Sequence, residues 1–111
     1  MPDYAIEAGK LLKPLTVIRS IDTAMTSTVV AALLHIAINP GDSASDIMRA
    51  LSLTQPHASK ALKALSERYE LVEYIYEDED GRVKSYYLTA KGRDLMNRAL
   101  APAGSGLFMP R

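Results

Sequence analysis

The stretch SASDIMRALSLTQPHASKALKAL, residues 43–65, contains two short helical patterns separated by a turn. Ser43 and Thr54 are residue types that cap helix N-termini, and each precedes apolar residues at helical spacing. The first pattern predicts a helix over residues 44–51, and the second predicts a helix over residues 55–69. Two helices joined by a turn of about three to four residues are typical of a helix-turn-helix motif.

The residues on both sides of this motif predict its neighbours. Upstream, Thr26-Ser27-Thr28 offers N-cap oxygens for a helix. Residues 29–38, which follow, are apolar nearly all round, which is typical of a helix at the centre of a core, and Pro40 ends it. Downstream, residues 71–77 and 83–88 are rich in aromatic and β-branched residues and flank a polar loop, so they predict a β-hairpin. Thr89 is expected to cap a last helix. In the predicted register the facing pairs are Glu77 with Val83, Tyr74 with Tyr86, and Tyr76 with Lys84.

The N-terminal residues predict two further helices. Residues 3–13 are typical of a short helix, and Pro14 is expected to begin a second one, because proline fits the first turn of a helix better than its interior. The second helix carries Leu15, Ile18 and Ile21 at a spacing of three, which gives a narrow apolar stripe.

Composition excludes several classes of protein. The 111 residues include 13 basic and 13 acidic side chains, so no net charge draws the whole molecule to nucleic acid. The lack of cysteine excludes disulfides and thiolate chemistry, and no phosphate loop, nucleophile elbow or acid–base pair indicates an enzyme. The longest apolar run has ten residues, whereas a membrane span needs about 20, and no signal peptide is visible. We therefore expect a cytoplasmic protein, not an enzyme, without a membrane, metal or cofactor partner.

Three helices followed by a hairpin form a winged helix, and four stretches of this chain resemble the MarR family of bacterial transcription regulators. They are residues 33–41, residues 45–51, residues 53–65, and Asp80-Gly81-Arg82 with Leu88-Thr89-Ala90-Lys91-Gly92 at the family's spacing. The resemblance covers residues 28–92. It implies a fold class that is mainly α with a small β-hairpin, a winged helix-turn-helix with short helical extensions at the N- and C-termini. The family usually ends its second motif helix with Gly-Leu-Val, whereas this chain has Tyr69-Glu70-Leu71-Val72, without glycine and with one extra residue.

The resemblance also implies a function. It implies a sequence-specific regulator of double-stranded DNA, a repressor that binds a palindromic operator as a homodimer and blocks polymerase. A small organic effector of unknown identity is expected between the dimer helices and the DNA-binding lobe. The chain then divides into residues 1–25, a helical segment for dimerisation, residues 26–101, the winged helix-turn-helix domain, and residues 102–111, a flexible tail.

Candidate DNA-contacting residues lie at the start and on the outer face of the second motif helix, and in the hairpin, or wing. Gln55 is suited to bidentate pairing with adenine, and Lys60 and Lys63 are suited to phosphates or base edges. The resemblance implies that Arg82 enters the minor groove, where the negative potential of A·T tracts is strongest. The full set is Thr54, Gln55, Pro56, His57, Ser59, Lys60, Lys63, Arg82 and Lys84.

Several of these residues also have a purely structural interpretation. From composition alone Lys60 and Lys63 fit the solvated face of any exposed helix, but the winged-helix context favours DNA contact, and Arg82 has the alternative of a salt bridge to a neighbouring wing carboxylate such as Asp80. His35 lies in an apolar helix, so we expect a hydrogen-bonded core histidine rather than a metal ligand.

The wing carries two further patterns. Its four tyrosines could stack on bases, but cross-strand pairing explains them better. The acidic run 77–80 is unfavourable beside phosphates and lacks the ordered spacing of a calcium loop. This run and the zero net charge leave a second hypothesis open. The protein would then be a winged-helix protein-interaction module, or a phage or plasmid accessory factor, without sequence-specific DNA binding.

Overall fold

The computed structural model describes residues 3–77, 81 and 83–101, and these form five helices and one β-hairpin. The helices are α1 (Asp3–Arg19), α2 (Ser27–Ile38), α3 (Ala44–Leu51), α4 (Gln55–Lys63) and α5 (Ala90–Leu100), and the antiparallel strands are β1 (Val72–Tyr76) and β2 (Lys84–Leu88). This architecture confirms the predicted fold class, a mainly helical winged helix-turn-helix. The described residues form two compact units, one of residues 26–93 and one of the residues up to Met25 with those from Asp94 onward.

Three helices of the unit 26–93 begin at a side chain that caps their free N–H groups. The Thr26 hydroxyl accepts a hydrogen bond from the Val29 N–H at 3.2 Å, and the Thr54 hydroxyl accepts one from the His57 N–H at 3.4 Å. At α3, Ser43 and Asp46 form a reciprocal capping box. The backbone N–H and the hydroxyl of Ser43 donate to the Asp46 carboxylate and lower the pKa of that carboxyl group. The sequence signals for helix starts are therefore confirmed at Thr26, Ser43 and Thr54.

The core of this unit is centred on α2. Its Ala32, Leu33 and Ile36 side chains are fully buried, as expected for a helix that is apolar nearly all round. α2 contacts α3, α4, the turn after α4 and β2. The buried apolar residues of those partners are Ile47, Ala58, Ala61, Leu62, Leu65 and Tyr86, and the chain from the end of that turn to the start of β1 adds Tyr69, Leu71 and Val72.

The hairpin has the register that the sequence predicts. Tyr74 faces Tyr86, Tyr76 faces Lys84, and the Glu77 N–H donates to the Val83 carbonyl at 2.8 Å. On its other edge β2 is held by the loop after α2, because Tyr86 exchanges backbone hydrogen bonds with residues 41 and 42. The wing is therefore anchored to the core through β2.

The same loop holds the hydrogen-bond partner of the α2 histidine that the sequence predicts to be hydrogen-bonded. The His35 Nε2 lies 2.8 Å from the Asp42 carboxylate, and both side chains are partly buried. This bond ties the C-terminal end of α2 to the loop that precedes α3. Among the residues that the structure describes, no group of three or more His, Asp or Glu side chains is placed to hold a metal ion.

The exit from α4 shows how the chain accommodates its extra residue and its missing glycine. Residues Ala64–Arg68 form a π-helical turn, in which the Tyr69 N–H donates to the Ala64 carbonyl at 2.9 Å. A π-helical turn holds one residue more than the α-helical turn it replaces, because its hydrogen bond spans five residues. Glu70 then adopts a left-handed conformation, with φ of 56°, at the position where the family usually has glycine.

We expect Glu70→Gly to stabilise the protein. A non-glycine residue in the left-handed region costs about 1 kcal/mol, which glycine does not incur. The free energy of unfolding should therefore rise by about 1 kcal/mol, and the melting temperature by about 4–8 °C. Glu70→Ala is the matched control, because it removes the charge and keeps the strained Cβ. Thermal melts that rise equally for both variants would show that charge, rather than backbone strain, limits stability here.

In the other unit, the predicted break at Pro14 is wrong. α1 is a single helix from Asp3 to Arg19 with Pro14 inside it, so Leu15 and Ile18 belong to the same helix as the residues before the proline. Ile21 lies beyond its end. Proline removes one backbone hydrogen bond, but its fixed φ of about −65° is helical, and the turns on either side keep the chain helical. None of the described helices is long and apolar enough to cross a membrane.

Candidate nucleic-acid interface

The outer face of α4 collects most of the predicted DNA-contacting residues on one surface. The inner face, Ala58, Ala61 and Leu62, is buried against the core. This fixes the rotation of the helix about its axis. The predicted residues that lie exposed on or beside α4 are Thr54, Gln55, Pro56, His57, Ser59, Lys60 and Lys63.

The start of α4 is built to hold its first residues in one geometry. Thr54 caps the helix through the His57 N–H, and Pro56 occupies the first turn, where it removes no helical hydrogen bond. Ser52, which ends α3, adopts a left-handed conformation, and the Leu53 N–H donates to the Met48 carbonyl at 2.9 Å. The turn between the two helices is therefore closed by backbone hydrogen bonds, and Gln55 projects from a rigid helix end.

From the second turn of α3 to the end of α4, all of the Asp, Glu, Lys and Arg side chains are basic. Residues 47–66 contain three basic side chains and no acidic one. Lys60 and Lys63 are exposed on α4, and Arg49 is exposed on α3. The motif pattern did not single out Arg49, although its position in this stretch without carboxylates was a usable signal. Its guanidinium lies 3.5 Å from the Asp46 carboxylate, and both groups are well exposed to solvent, so this pair is weak.

Lys84 in the wing is less exposed than the basic residues of the two motif helices. The Lys84 ammonium lies 4.3 Å from the centre of the Tyr74 ring and 5.9 Å from the centre of the Tyr76 ring. Lys84 is thus partly buried on an aromatic surface rather than extended into solvent. The ring of Tyr74 also contacts that of Tyr86 across the strands at 5.7 Å, as cross-strand pairing predicts. Burial raises the pKa of the Tyr86 phenol.

Arg82 and Asp80 lie outside the described residues, so the predicted contact of Arg82 with the minor groove stays a prediction. Residues 78–80 of the acidic run 77–80 also lie outside the described residues. The side chain of Glu77, the described member of the run, is exposed.

The described residues up to Met25 and from Asp94 onward form a groove within their own unit. It has a volume of about 480 Å³ and lies between residues 6–14 of α1 and the end of α5. The groove is mainly apolar, with two lysines on α1. Its lining residues are Ile6, Gly9, Lys10, Lys13, Pro14, Ala99, Leu100 and Ala101.

Comparison with known proteins agrees with this geometry. Residues 25–92 match the family described as the winged helix DNA-binding domain. A crystal structure of MepR from S. aureus in complex with DNA is 27% identical, with a TM-score of 0.66 over 82% of this chain and 73% of that one. The PcaV transcriptional regulator from Streptomyces coelicolor is 17% identical, with a TM-score of 0.62 over 89% and 73%. No curated protein matches the sequence.

This chain belongs to the winged helix DNA-binding domain family, because the match spans both motif helices, the wing and the start of α5. Its structural relatives include MarR itself and a MarR family transcription regulator, which is 22% identical with a TM-score of 0.63 over 86% of this chain and 63% of that one. The predicted winged helix is thereby confirmed, and the chain is a DNA-binding transcription regulator that shares its fold with MarR. Its family and fold are those of transcription regulators rather than enzymes.

Proposed function

We propose that the protein is a repressor that binds a palindromic operator in double-stranded DNA as a homodimer. The observation that carries the proposal is the outer face of α4, which is exposed, capped in one geometry and bears two lysines and no carboxylate. Such a helix fits a major groove with its N-terminal residues over base edges. Two of them on one face of a duplex would read half-sites and occlude polymerase.

Selection of bound duplexes from random DNA tests this proposal. A homodimer with one recognition helix in each half-site should select an inverted repeat whose half-site centres lie about 10 bp apart. A consensus without symmetry, or protection of a single half-site at saturating protein, would contradict the dimeric arrangement.

The candidate contacts divide into two chemical classes. Gln55 and His57 lie at the helix start, where side chains reach base edges, and glutamine matches adenine through two hydrogen bonds. We assign Thr54, Ser59, Lys60 and Lys63 to contacts with the DNA backbone. Their hydroxyl and ammonium groups bind phosphate oxygens, and such contacts do not depend on the base sequence. Pro56 shapes the helix start beside them.

We expect Gln55→Ala and Lys63→Ala to weaken binding in different ways. Gln55→Ala should cost about 1–3 kcal/mol on the selected operator and relax the preference at one base position. Lys63→Ala should weaken binding to all sequences alike and lower the slope of log affinity against log salt by about 1. Affinities on the operator and on a scrambled duplex, measured over a salt series, separate the two. Equal losses on both duplexes for Gln55→Ala would remove Gln55 from the base-reading set.

The homodimer is supported by an apolar stripe on α1. Tyr4, Leu11, Leu12 and Leu15 are exposed within the described residues. At 100° per residue, Tyr4, Leu11 and Leu15 fall on one face of the helix, and the groove-lining Gly9 and Lys13 fall on the opposite one. An apolar stripe of this kind is typical of a helix that packs against another protein surface, and a second copy supplies the same stripe. We therefore assign residues 1–25 to dimerisation, as the sequence predicts.

We assign Arg82 to the minor groove beside the operator, on the sequence resemblance alone. Arg82→Ala should then lose most affinity on operators with A·T-rich flanks, where the groove potential is strongest. The groove between α1 and α5 suits an amphipathic organic anion as effector, because apolar walls and two lysines surround it.

An alternative function, a protein-interaction module without sequence-specific DNA binding, is favoured by one observation. The acidic side chains of Glu67, Glu70, Glu73 and Glu77 are all exposed on the segment that leads from α4 into the wing. A mobility-shift series from low to high salt separates the two functions. DNA binding should weaken steeply as salt rises, whereas an interaction module should shift no duplex at any salt.

A further inference from the structure

Three tyrosine rings form a continuous row along one face of the wing. Tyr86 faces Tyr74 across the strands, and Tyr74 and Tyr76 lie two residues apart on β1, so all three share one face of the hairpin. The ring centres are 5.7 Å apart for Tyr86 and Tyr74, and 5.6 Å apart for Tyr74 and Tyr76, which meet edge to face. We call this row the aromatic ladder. Exposure rises along it from 6% through 39% to 53%, so the ladder leads from the core towards the wing tip.

Lys84 lies on the ladder at its exposed end. It faces Tyr76 in the strand register, but its ammonium is nearer to the ring of Tyr74, at 4.3 Å from the centre against 5.9 Å. A lysine side chain on a strand ordinarily has many rotamers, and an ordered position over an aromatic face removes most of them. The cation is therefore held in place before any ligand binds.

The ladder also separates this cation from the nearest described carboxylates of β1. Glu73 alternates with Tyr74 along the strand, so its side chain leaves the opposite face of the hairpin, and the same alternation applies to Glu77 just beyond the strand end. A lysine that bends over the tyrosine face keeps its charge on the side without those carboxylates. Among the described residues of the wing, the tyrosine face thus carries Lys84, and the opposite face carries Glu73 and Glu77.

We propose that Tyr74 is a positioning residue for DNA binding, whose ring holds the Lys84 ammonium where it binds a phosphate of the duplex backbone. The inference rests on the proposed function, because it requires the wing to lie beside DNA. An ammonium has three N–H donors, and one ring face occupies only one side of it, so donors remain for phosphate oxygens. A prearranged cation loses less entropy on binding than a free one, and this gain is what Tyr74 contributes.

The test uses five forms of the full chain on a labelled duplex obtained by selection from random DNA. They are the wild type, Lys84→Gln, Tyr74→Leu, Tyr74→Phe and the double variant Tyr74→Leu with Lys84→Gln. Lys84→Gln should lower the salt slope of binding by about 1. Tyr74→Leu should weaken binding about two- to fivefold, and Tyr74→Phe should restore it, because phenylalanine keeps the ring face and loses only the hydroxyl. Tyr74→Leu should have no further effect in the Lys84→Gln background.

Each outcome bears on a different part of the argument. If the wild type binds no duplex, the proposed function itself fails. If the wild type binds and Lys84→Gln keeps its salt slope, the phosphate contact is wrong. If Tyr74→Leu weakens DNA binding as much in the Lys84→Gln background as in the wild type, Tyr74 acts through wing structure and not through Lys84. Thermal melts of all five forms give their folded fractions. DNA affinities compared at equal folded fraction then exclude a general loss of stability as the cause of weaker binding.

Discussion

Leu11→Asp should separate the proposed homodimer into monomers. Leu11 is 75% exposed and lies at the centre of the apolar stripe of α1, between Tyr4 and Leu15. In a symmetric interface each substitution acts twice, and burial of one leucine contributes about 1.5–3 kcal/mol, so at least about 3 kcal/mol is lost. A loss of this size raises the dimer dissociation constant by at least about 100-fold. Sedimentation of the wild type and the variant over a concentration series measures it.

DNA binding by Leu11→Asp gives a second readout. The monomer keeps its α4 face, so we expect it to protect one half-site with much lower affinity and with an unchanged base preference. Gly9→Asp is the matched control, because it adds the same carboxylate on the other side of α1, where nothing lies within 4 Å of a new Cβ. If Leu11→Asp sediments as a dimer, the interface lies elsewhere and residues 1–25 lose their assigned role.

The parts of the fold that could be predicted from sequence depend on local chemistry. Thr26, Ser43 and Thr54 mark helix starts because their hydroxyls satisfy backbone N–H groups within three residues. The hairpin register followed from the loop, because Glu77 opposite Val83 places Tyr74 opposite Tyr86. In each case the deciding interaction lies between residues that are near in sequence or directly opposite in one hairpin.

The parts that could not be predicted depend on balances between competing terms. At Pro14 the loss of one hydrogen bond argued for a helix break, but the turns on both sides outweigh that loss and α1 continues. The π-helical turn at Ala64–Arg68 was visible only as an extra residue, because a sequence does not say whether a helix or the following loop absorbs an insertion. The position of Lys84 over Tyr74 is a rotamer choice, which strand alternation permits without specifying.

The same distinction holds for the candidate site. Exposure of Gln55, Lys60 and Lys63 followed from the helical wheel, because burial of one face of α4 fixes the other. Which bases or phosphates they contact depends on the duplex, and it stays a prediction for those residues and for Arg82.

The junction between α5 and the wing is the place where one added methyl group should do most damage. The Thr89 N–H donates to the Leu71 carbonyl at 3.0 Å, and the Thr89 hydroxyl donates to the Glu70 carbonyl at 2.8 Å and accepts from the Gly92 N–H at 3.0 Å. These bonds bring the first turn of α5 against the backbone that leaves α4. Gly92 is buried there, and a Cβ built on it would overlap the carbonyl oxygen of Leu71.

Gly92→Ala should therefore destabilise the protein strongly, although alanine is the better helix former. Relief of the overlap requires the Leu71 backbone to move, which breaks its bond from Thr89 and displaces a fully buried leucine, so we expect a cost of about 3 kcal/mol or more. Gly9→Ala is the matched control, because Gly9 lies inside α1 with nothing within 4 Å of a new Cβ, and it should stabilise by about 0.5–1 kcal/mol. Urea unfolding measures the free energy of unfolding of both variants, which should fall for Gly92→Ala and rise for Gly9→Ala. A Gly92→Ala protein as stable as the wild type would mean that α5 can shift away from the α4 exit at little cost, and the Thr89 bonds would then not hold the wing base in place.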